Sequence, residues 1–146
     1  MKSKEMVKLL FPGVILGIVL GMGIGMAVGV NPTDPKPNYI GGAVCCIIPT
    51  LLNCTVVLKQ TASKLKRKLS FGGVLKRIIP YVIMAALIGF LSYVIVIEKV
   101  IGFDSCAIPR LTNAIIQACL GIVTSTFFGY IAIKKYIKDV KYTKRK

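Results

Sequence analysis

The chain has 146 residues, of which 55% are hydrophobic, and its 20 Lys and Arg against 5 Asp and Glu give a net charge of +15. It contains no histidine, which excludes His-based acid–base chemistry and imidazole metal sites. A charge of this size is also typical of nucleic-acid binding proteins. Every basic cluster here flanks an apolar stretch, however, so no nucleic-acid partner is expected and membrane topology explains the charge.

Four apolar stretches dominate the sequence, at residues 9–30, 40–58, 78–97 and 107–133. Crossing a hydrocarbon core about 30 Å thick takes about 20 apolar residues as a helix, and each stretch is close to that length. The sequence therefore predicts an all-α, polytopic membrane protein with four transmembrane helices in a single membrane domain.

The basic residues predict the orientation of these helices. Seventeen of the 20 Lys and Arg residues precede the first stretch, lie in loop 59–77, or follow the fourth stretch in tail 134–146. Cytoplasmic loops are enriched in Lys and Arg, so both termini and loop 59–77 should be cytoplasmic, with loops 31–39 and 98–106 outside. A cell membrane is the expected location, by default the bacterial inner membrane, because the chain is small and shows no targeting feature.

The first stretch carries glycines at a strict spacing of four, namely Gly13, Gly17, Gly21, Gly25 and Gly29. Small residues four apart form a shallow groove along a helix, which lets another backbone approach closely within the membrane. Two interpretations follow. The groove either builds a homo-oligomer or a larger membrane complex, or it packs within the chain against the second or third helix.

The two halves of the chain share a motif. Residues 46–53 and 106–113 both read C-x-I-P-x-L-x-N, 60 positions apart. This match predicts two tandem helical hairpins, repeat 1 at about 9–68 and repeat 2 at about 77–138. A repeat with an even number of spans keeps its direction, so the hairpins should be parallel and related by an axis along the membrane normal.

The prolines of the motif, Pro49 and Pro109, admit two interpretations. Proline removes a backbone donor and can break a helix, and paired interrupted spans in two halves often mark a transport site. Alternatively, both prolines begin their helices at the outer surface, where proline is favourable.

A polar face accompanies the motif. Asn53 shares a helix face with Cys46, and the fourth stretch extends this face with Arg110, Asn113, Gln117 and Thr124. A polar stripe along a spanning helix should face the bundle interior, a subunit interface or a water-filled path. Hydrogen bonding between helices is the structural alternative, at about 1 kcal/mol per contact. Arg110 would attract an anion if the fourth helix starts early enough to bury it.

These features favour the passage of a small solute or ion over catalysis. No carboxylate lies in the middle of a span and no nucleotide-binding pattern is present, so neither an enzyme nor a cofactor is expected. The first hypothesis is a channel or facilitator whose site lies at the repeat interface, where the two Pro–Asn motifs meet. The alternative is a non-conducting subunit or scaffold of a larger complex. Anionic lipids are expected at Lys64, Lys66, Arg67, Lys68 and the C-terminal tail.

Three of the five cysteines stand out, namely Cys45, Cys46 and Cys106. Cys46 and Cys106 hold the same place in the repeat, so a disulfide between them is one alternative, provided that their Cα atoms come within about 4.4–6.8 Å. Cys45-Cys46-x-x-Pro49 and the segment Cys106-Ala-Ile-Pro109 also resemble mercuric-ion transport membrane proteins, over roughly eleven residues. The resemblance implies a thiol relay in which these three cysteines carry a soft metal ion.

Overall fold

The structure is a computed structural model that describes residues 3–27, 39–96, 98 and 110–143. This part of the chain forms four helices, α1 Ser3–Ala27, α2 Tyr39–Lys64, α3 Phe71–Ile95 and α4 Arg110–Thr143. All four are long and apolar enough to cross a membrane. The prediction of an all-α, multi-pass membrane protein is therefore confirmed.

The helices extend beyond the apolar stretches at the basic end of each. α1 begins at Ser3, α2 continues to Lys64, and α4 continues to Thr143. Lysine is a good helix former, so the basic flanks prolong the spans by further turns. The predicted loop 59–77 is consequently a connection of only six residues, 65–70, and most of the predicted tail is helical.

The connection between α2 and α3 is a tight, well-defined turn. Lys66 adopts a left-handed conformation with φ of 51°, and the N–H of Arg67 donates to the carbonyl of Ala62 at 2.9 Å. Such a left-handed residue with a backward hydrogen bond is a common way to end a helix. Ser70 then caps α3, because its Oγ accepts from the N–H of Gly73 at 3.2 Å. The two helices therefore form an antiparallel hairpin.

The helices pack with α2 and α4 at the centre. α1 packs chiefly against α4 and secondarily against α2, whereas α3 packs chiefly against α2. Within the described residues α1 and α3 do not pack on each other. The predicted repeats correspond to the pairs α1–α2 and α3–α4. The first helix of each pair packs most extensively on the second helix of the other pair, so the two pairs are interleaved rather than side by side.

The prolines lie inside continuous helices. Pro12, Pro49 and Pro80 are interior residues of α1, α2 and α3. Pro49 is buried and ten residues from the start of α2, so it neither begins nor breaks that helix, and its role at a transport site stays a prediction. Packing neighbours can satisfy backbone groups freed by proline, which is why spanning helices tolerate it. Pro109 lies outside the described residues.

The outer surface is apolar, as a lipid-facing surface requires. α3 exposes a row of large aliphatic side chains, including Ile79, Ile83, Leu87 and Leu91, with exposed fractions of 47–56%. An apolar row of this length is unusual on a soluble protein. Because this row faces acyl chains, it needs no protein partner. The polar side chains of the spans lie in the interior instead.

Candidate functional site

The glycines of α1 pack the helix onto α4. A Cβ added at Gly17, Gly21 or Gly25 would lie 2.5–2.7 Å from a backbone Cα of α4. Such distances leave no room for any side chain, so the two backbones are in direct contact. The predicted groove thus packs within the chain, chiefly on the fourth helix through Gly17, Gly21 and Gly25, and on Asn53 of the second helix through Gly13. Gly29 lies outside the described residues.

Polar side chains of α4 reinforce this contact by bonding to α1 carbonyls. Asn113 donates from Nδ2 to the carbonyl of Gly25 at 2.9 Å, and Ser125 donates from Oγ to the carbonyl of Gly13 at 3.1 Å. A helical carbonyl can accept a second hydrogen bond because it has two lone pairs. The absence of side chains on these glycines lets the α4 side chains reach the α1 backbone.

Asn53 forms the centre of one polar level. It is fully buried, and its Nδ2 donates to the carbonyl of Ser125 at 2.8 Å. Glycines on two sides enclose it, because a Cβ would lie 2.3 Å from Nδ2 if added at Gly13 and 2.7 Å if added at Gly129. Asn53 of α2 therefore touches both α1 and α4, and the bundle is closely packed at this level.

Asn113 forms the centre of a second polar level. Its Oδ1 accepts from the hydroxyl of Tyr93 at 2.5 Å and from Nε2 of Gln117 at 3.4 Å. Tyr93 is buried in turn against Gly42, where an added Cβ would lie 2.5 Å from the tyrosine Cβ. Sequence reasoning missed Tyr93, because a lone tyrosine near the end of a span is typical of the interfacial aromatic belt.

The two asparagines of the motif do not meet. Asn53 lies at the level of Gly13 and Asn113 at the level of Gly25. These glycines are 12 residues apart on one helix, which corresponds to about 18 Å along its axis. The sequence motif aligns Asn53 with Asn113, whereas tertiary packing sets Asn53 beside Ser125. The expected common centre of the two motifs is therefore not formed.

Between the two levels lie two adjacent cysteines. Cys45 and Cys46 are fully buried, and their Sγ atoms are 3.8 Å apart. Pro49 has no N–H, so the Cys45 carbonyl lacks its usual helical donor. That carbonyl lies against α4, where a Cβ added at Gly121 would be 2.9 Å away. Cys46 is a free thiol, and Cys106 lies outside the described residues.

We call six buried polar side chains of α2 and α4 the polar seam, namely Thr50, Asn53, Asn113, Gln117, Thr124 and Ser125. Thr61 of α2 is also buried, but it lies nearer the basic end and donates to the carbonyl of Val57 in its own helix. All six seam residues are at most 3% exposed, so Asn113, Gln117 and Thr124 of the predicted polar stripe lie in the bundle interior. Thr50 and Ser125 carried no sequence signal, because such residues commonly bond to their own helix. Arg110 begins α4, but its side chain lies outside the described part, so its depth stays a prediction.

Within the described part of the chain, three oxygens of the polar seam have no hydrogen-bond partner, namely Thr50 Oγ1, Asn53 Oδ1 and Gln117 Oε1. Thr50 contrasts with Thr55 and Thr61 on the same helix, which each donate to the carbonyl four residues earlier at 2.7 Å. An unsatisfied buried polar atom costs about 1–3 kcal/mol, so native interiors satisfy nearly all of them with protein, water or ligand. The polar seam therefore contains three buried oxygens whose hydrogen-bonding capacity the described residues do not satisfy.

No protein-family model matches the chain, and no curated protein or solved structure matches it either. Within the described residues no group of three or more Cys, Asp or Glu side chains is arranged to hold a metal ion. The resemblance to mercuric-ion transport proteins thus stays a prediction based on its few residues.

Proposed function

We propose that this multi-pass membrane protein is a facilitator that passes a small solute or ion along the polar seam. One observation carries the proposal, namely the three buried seam oxygens that have no hydrogen-bond partner among the described residues. Acyl chains cannot supply a hydrogen bond from outside the bundle. The missing partners must therefore enter along the seam itself, as water, solute or ion.

The chemistry of these oxygens favours a particular class of solute. Asn53 Oδ1 and Gln117 Oε1 are amide oxygens, which accept hydrogen bonds and attract cations without carrying a charge. They suit water, a hydroxylated solute or a monovalent cation. Proton-coupled transport needs a group that changes charge within the membrane, and the seam side chains offer none. These uncharged side chains therefore fit passive movement of a solute down its gradient better than proton-coupled active transport.

Passage requires the bundle to open. At the level of Asn53 the seam is enclosed by Gly13 and Gly129, and Gly25 packs directly on the backbone of Ala114 near Asn113. The glycines bring no side chains to this contact, so separating α1 from α4 requires breaking mainly the hydrogen bonds from Asn113 to Gly25 and from Ser125 to Gly13, at about 1 kcal/mol each. We therefore place the gate at the α1–α4 contact, with the polar seam behind it.

Flux measurements on purified protein in liposomes test the proposal. Protein-dependent permeation of water, glycerol, urea, K⁺ and NH₄⁺ is measured against empty liposomes. Asn53→Leu and Gln117→Leu remove the acceptor oxygens and, in variants that remain folded, should lower the flux at least tenfold. Thr55→Val is the matched control, since Thr55 bonds only to its own helix among the bonds described. It should retain wild-type flux.

The same measurement discriminates the alternative. A folded protein that passes none of these solutes overturns the facilitator proposal and favours a non-conducting subunit of a larger complex. Co-purification from native membranes then identifies its partner. Because Gly17, Gly21 and Gly25 are occupied by α4, a homo-oligomer or larger complex would have to form through another face, such as the exposed apolar surface of α3.

A second candidate function is thiol-dependent transport of a soft metal ion. The specific observation is that two buried thiols, Cys45 and Cys46, lie 3.8 Å apart beside the polar seam. Thiolates are preferred ligands of soft metals. Cells expressing the chain should take up Hg²⁺ faster than cells expressing a Cys45→Ser, Cys46→Ser double variant. Cys119→Ser is the control, because Cys119 is exposed on the outer surface. Equal uptake by all three removes this candidate.

We also propose that the basic end of the bundle is cytoplasmic. The helix ends that carry Lys4, Lys8, Lys59, Lys64, Lys76, Arg77, Lys134 and Lys135 lie at one end of the antiparallel bundle. The positive-inside rule assigns such an end to the cytoplasm. In a bacterium this corresponds to the inner membrane.

A further inference from the structure

A basic cleft opens at the end of the bundle that holds the α2–α3 turn. It has a volume of about 490 Å³ and lies between α2, α3 and α4. Three cations line it, Lys76, Arg77 and Lys135. The remaining walls are aromatic or aliphatic and include Tyr81, Tyr136, Leu58, Leu69 and Pro80. We call this space the basic cleft.

Arg77 is held in the wall of the basic cleft by two contacts. Its Nη1 forms an ion pair with Asp139, and its guanidinium carbon lies 5.3 Å from the centroid of the Tyr136 ring. A guanidinium has five N–H donors in a rigid plane, and the carboxylate oxygen of this pair occupies one of them. Arg77 is thus oriented by the protein and retains donors for a further anion.

A smaller cavity of about 170 Å³ continues from the basic cleft and shares Arg77 and Tyr136 with it. This second cavity adds Arg67 and Lys68 from the α2–α3 turn. Among the described residues that line the two spaces, Asp139 is the one carboxylate against five cations. The excess positive charge calls for an anion of more than one negative oxygen, such as a phosphate.

The start of α3 adds to this preference. Gly73, in the first turn of α3, lines the basic cleft, and a Cβ at Gly72 would meet no atom within 4 Å. The first turn of a helix carries the positive end of the helix dipole, which favours a phosphate. The N–H of Gly73 is bonded to Ser70 Oγ, so the start of α3 contributes this dipole to the cleft and the side chains supply the donors.

The depth of the basic cleft distinguishes a lipid from a soluble phosphate. Lys76 and Arg77 are the last charges of α3 before its uncharged stretch to Ile95, so the cleft lies at the border between membrane and water. Directly beyond it, Ile79 and Ile83 are exposed on the lipid-facing side of α3. An acyl chain leaving the cleft would lie along these side chains.

We propose that the basic cleft binds the phosphate headgroup of an anionic phospholipid from the leaflet at the basic end of the bundle. Lys76, Arg77 and Lys135 bind the phosphate, and the acyl chains pack along the exposed face of α3. Basic pockets between spanning helices are a known mode of lipid recognition. This site goes beyond the proposed function, since it shares no residue with the polar seam.

Lipid retention measured by native mass spectrometry tests the site. Purified protein in non-ionic detergent receives equal amounts of phosphatidylglycerol and phosphatidylcholine, and the wild type should retain the anionic lipid selectively. A Lys76→Gln, Lys135→Gln double variant removes two exposed cations of the cleft. Each cation is expected to contribute about fivefold, so the double variant should retain the anionic lipid about twenty-five times more weakly.

The matched control is Lys4→Gln, Lys8→Gln, which removes two exposed cations of α1 at the same end of the bundle. It should stay within about twofold of the wild type, because non-specific attraction alone would respond equally to both pairs. Equal losses in the two double variants overturn the proposal. Retention of phosphatidylcholine as strongly as phosphatidylglycerol overturns it as well.

A second measurement separates a lipid from a soluble phosphate. Thermal unfolding is followed with added phosphatidylglycerol, with glycerol phosphate and with inorganic phosphate at equal concentration. The lipid should raise the unfolding temperature in the wild type and not in the Lys76→Gln, Lys135→Gln variant. If either soluble phosphate stabilises the protein as strongly as the lipid, the cleft is a site for a soluble anion and the lipid proposal is wrong.

Discussion

Asn53 donates from its side-chain amide to the backbone carbonyl of Ser125, 2.8 Å away across the α2–α4 interface. This bond joins the two central helices and places Asn53 beside Ser125. Ser125 lies 12 residues beyond Asn113, the residue that corresponds to Asn53 in the sequence motif. The bond also uses only the amide nitrogen and leaves Oδ1 without a partner, which is the feature on which the proposed conduit depends.

Adding a single methyl group to a glycine in the α1–α4 contact should destabilise the protein. In Gly21→Ala the new Cβ would lie 2.6 Å from the Cα of Ala118, and backbone cannot yield as a flexible side chain can. Overpacking of this kind costs about 1–3 kcal/mol, so the variant should unfold at lower denaturant concentration in detergent.

Gly23→Ala is the matched control on the same helix, because an added Cβ there would have no atom within 4 Å. It should be unchanged or stabilised by up to about 1 kcal/mol, since alanine favours helix over glycine. Equal destabilisation by Gly21→Ala and Gly23→Ala would contradict the described packing of α1 on α4.

The Tyr93–Asn113 hydrogen bond should contribute measurably to stability. Tyr93→Phe keeps the ring and deletes the hydroxyl that donates to Asn113 Oδ1 at 2.5 Å, leaving this oxygen with the weaker 3.4 Å contact from Gln117. Side-chain hydrogen bonds between spanning helices contribute about 0.6 kcal/mol on average and up to about 1.7. We expect a loss near the upper end of this range in an unfolding titration.

Tyr130→Phe provides the comparison, because Tyr130 is only half-buried and its contact with Lys134 is made by the ring. Its free energy of unfolding should change by less than about 0.5 kcal/mol. If Tyr93→Phe is equally mild, the hydroxyl does not hold Asn113 and the second polar level is not built as described.

Glycine at position 66, in the turn between α2 and α3, should stabilise the protein. Lys66 has φ of 51°, a left-handed conformation that is costly for a residue with a Cβ. Lys66→Gly should raise the free energy of unfolding by about 0.5–1 kcal/mol, because glycine adopts this conformation without strain. Lys64→Gly, at the last residue of helix α2, should lower the free energy of unfolding instead, because glycine disfavours a helix. Thermal unfolding of both variants measures the difference, and a shared sign would contradict the assigned conformation of Lys66.

The orientation can be measured by cysteine labelling in intact cells. The native cysteines are replaced, and a single cysteine is introduced as Lys36→Cys in the loop expected outside or as Ser63→Cys at the basic end. A membrane-impermeant maleimide should label the first variant in intact cells and the second only after permeabilisation, since basic ends face the cytoplasm. The reverse pattern would invert the proposed topology.

The sequence predicted the parts of the fold that depend on local chemistry. Four spans follow from the length of the apolar stretches, and the interior position of Asn113, Gln117 and Thr124 follows from helical periodicity, because polar groups avoid acyl chains. Pro49 was misjudged, because proline in a membrane helix is decided by its neighbours. Tyr93 and Ser125 were missed, since their partners are 20 and 112 residues away in sequence.

The sequence by itself determined that this chain crosses a membrane four times and that its α1 glycines admit a neighbouring backbone, because hydrophobic length and side-chain size are local properties. Only the tertiary structure decided that α4 is that neighbour and that Asn53 lies beside Ser125 rather than Asn113. The same holds for the basic cleft, in which Lys76 and Lys135 line one space. Helix register and choice of partner depend on packing summed over all four helices, and no local pattern encodes that sum.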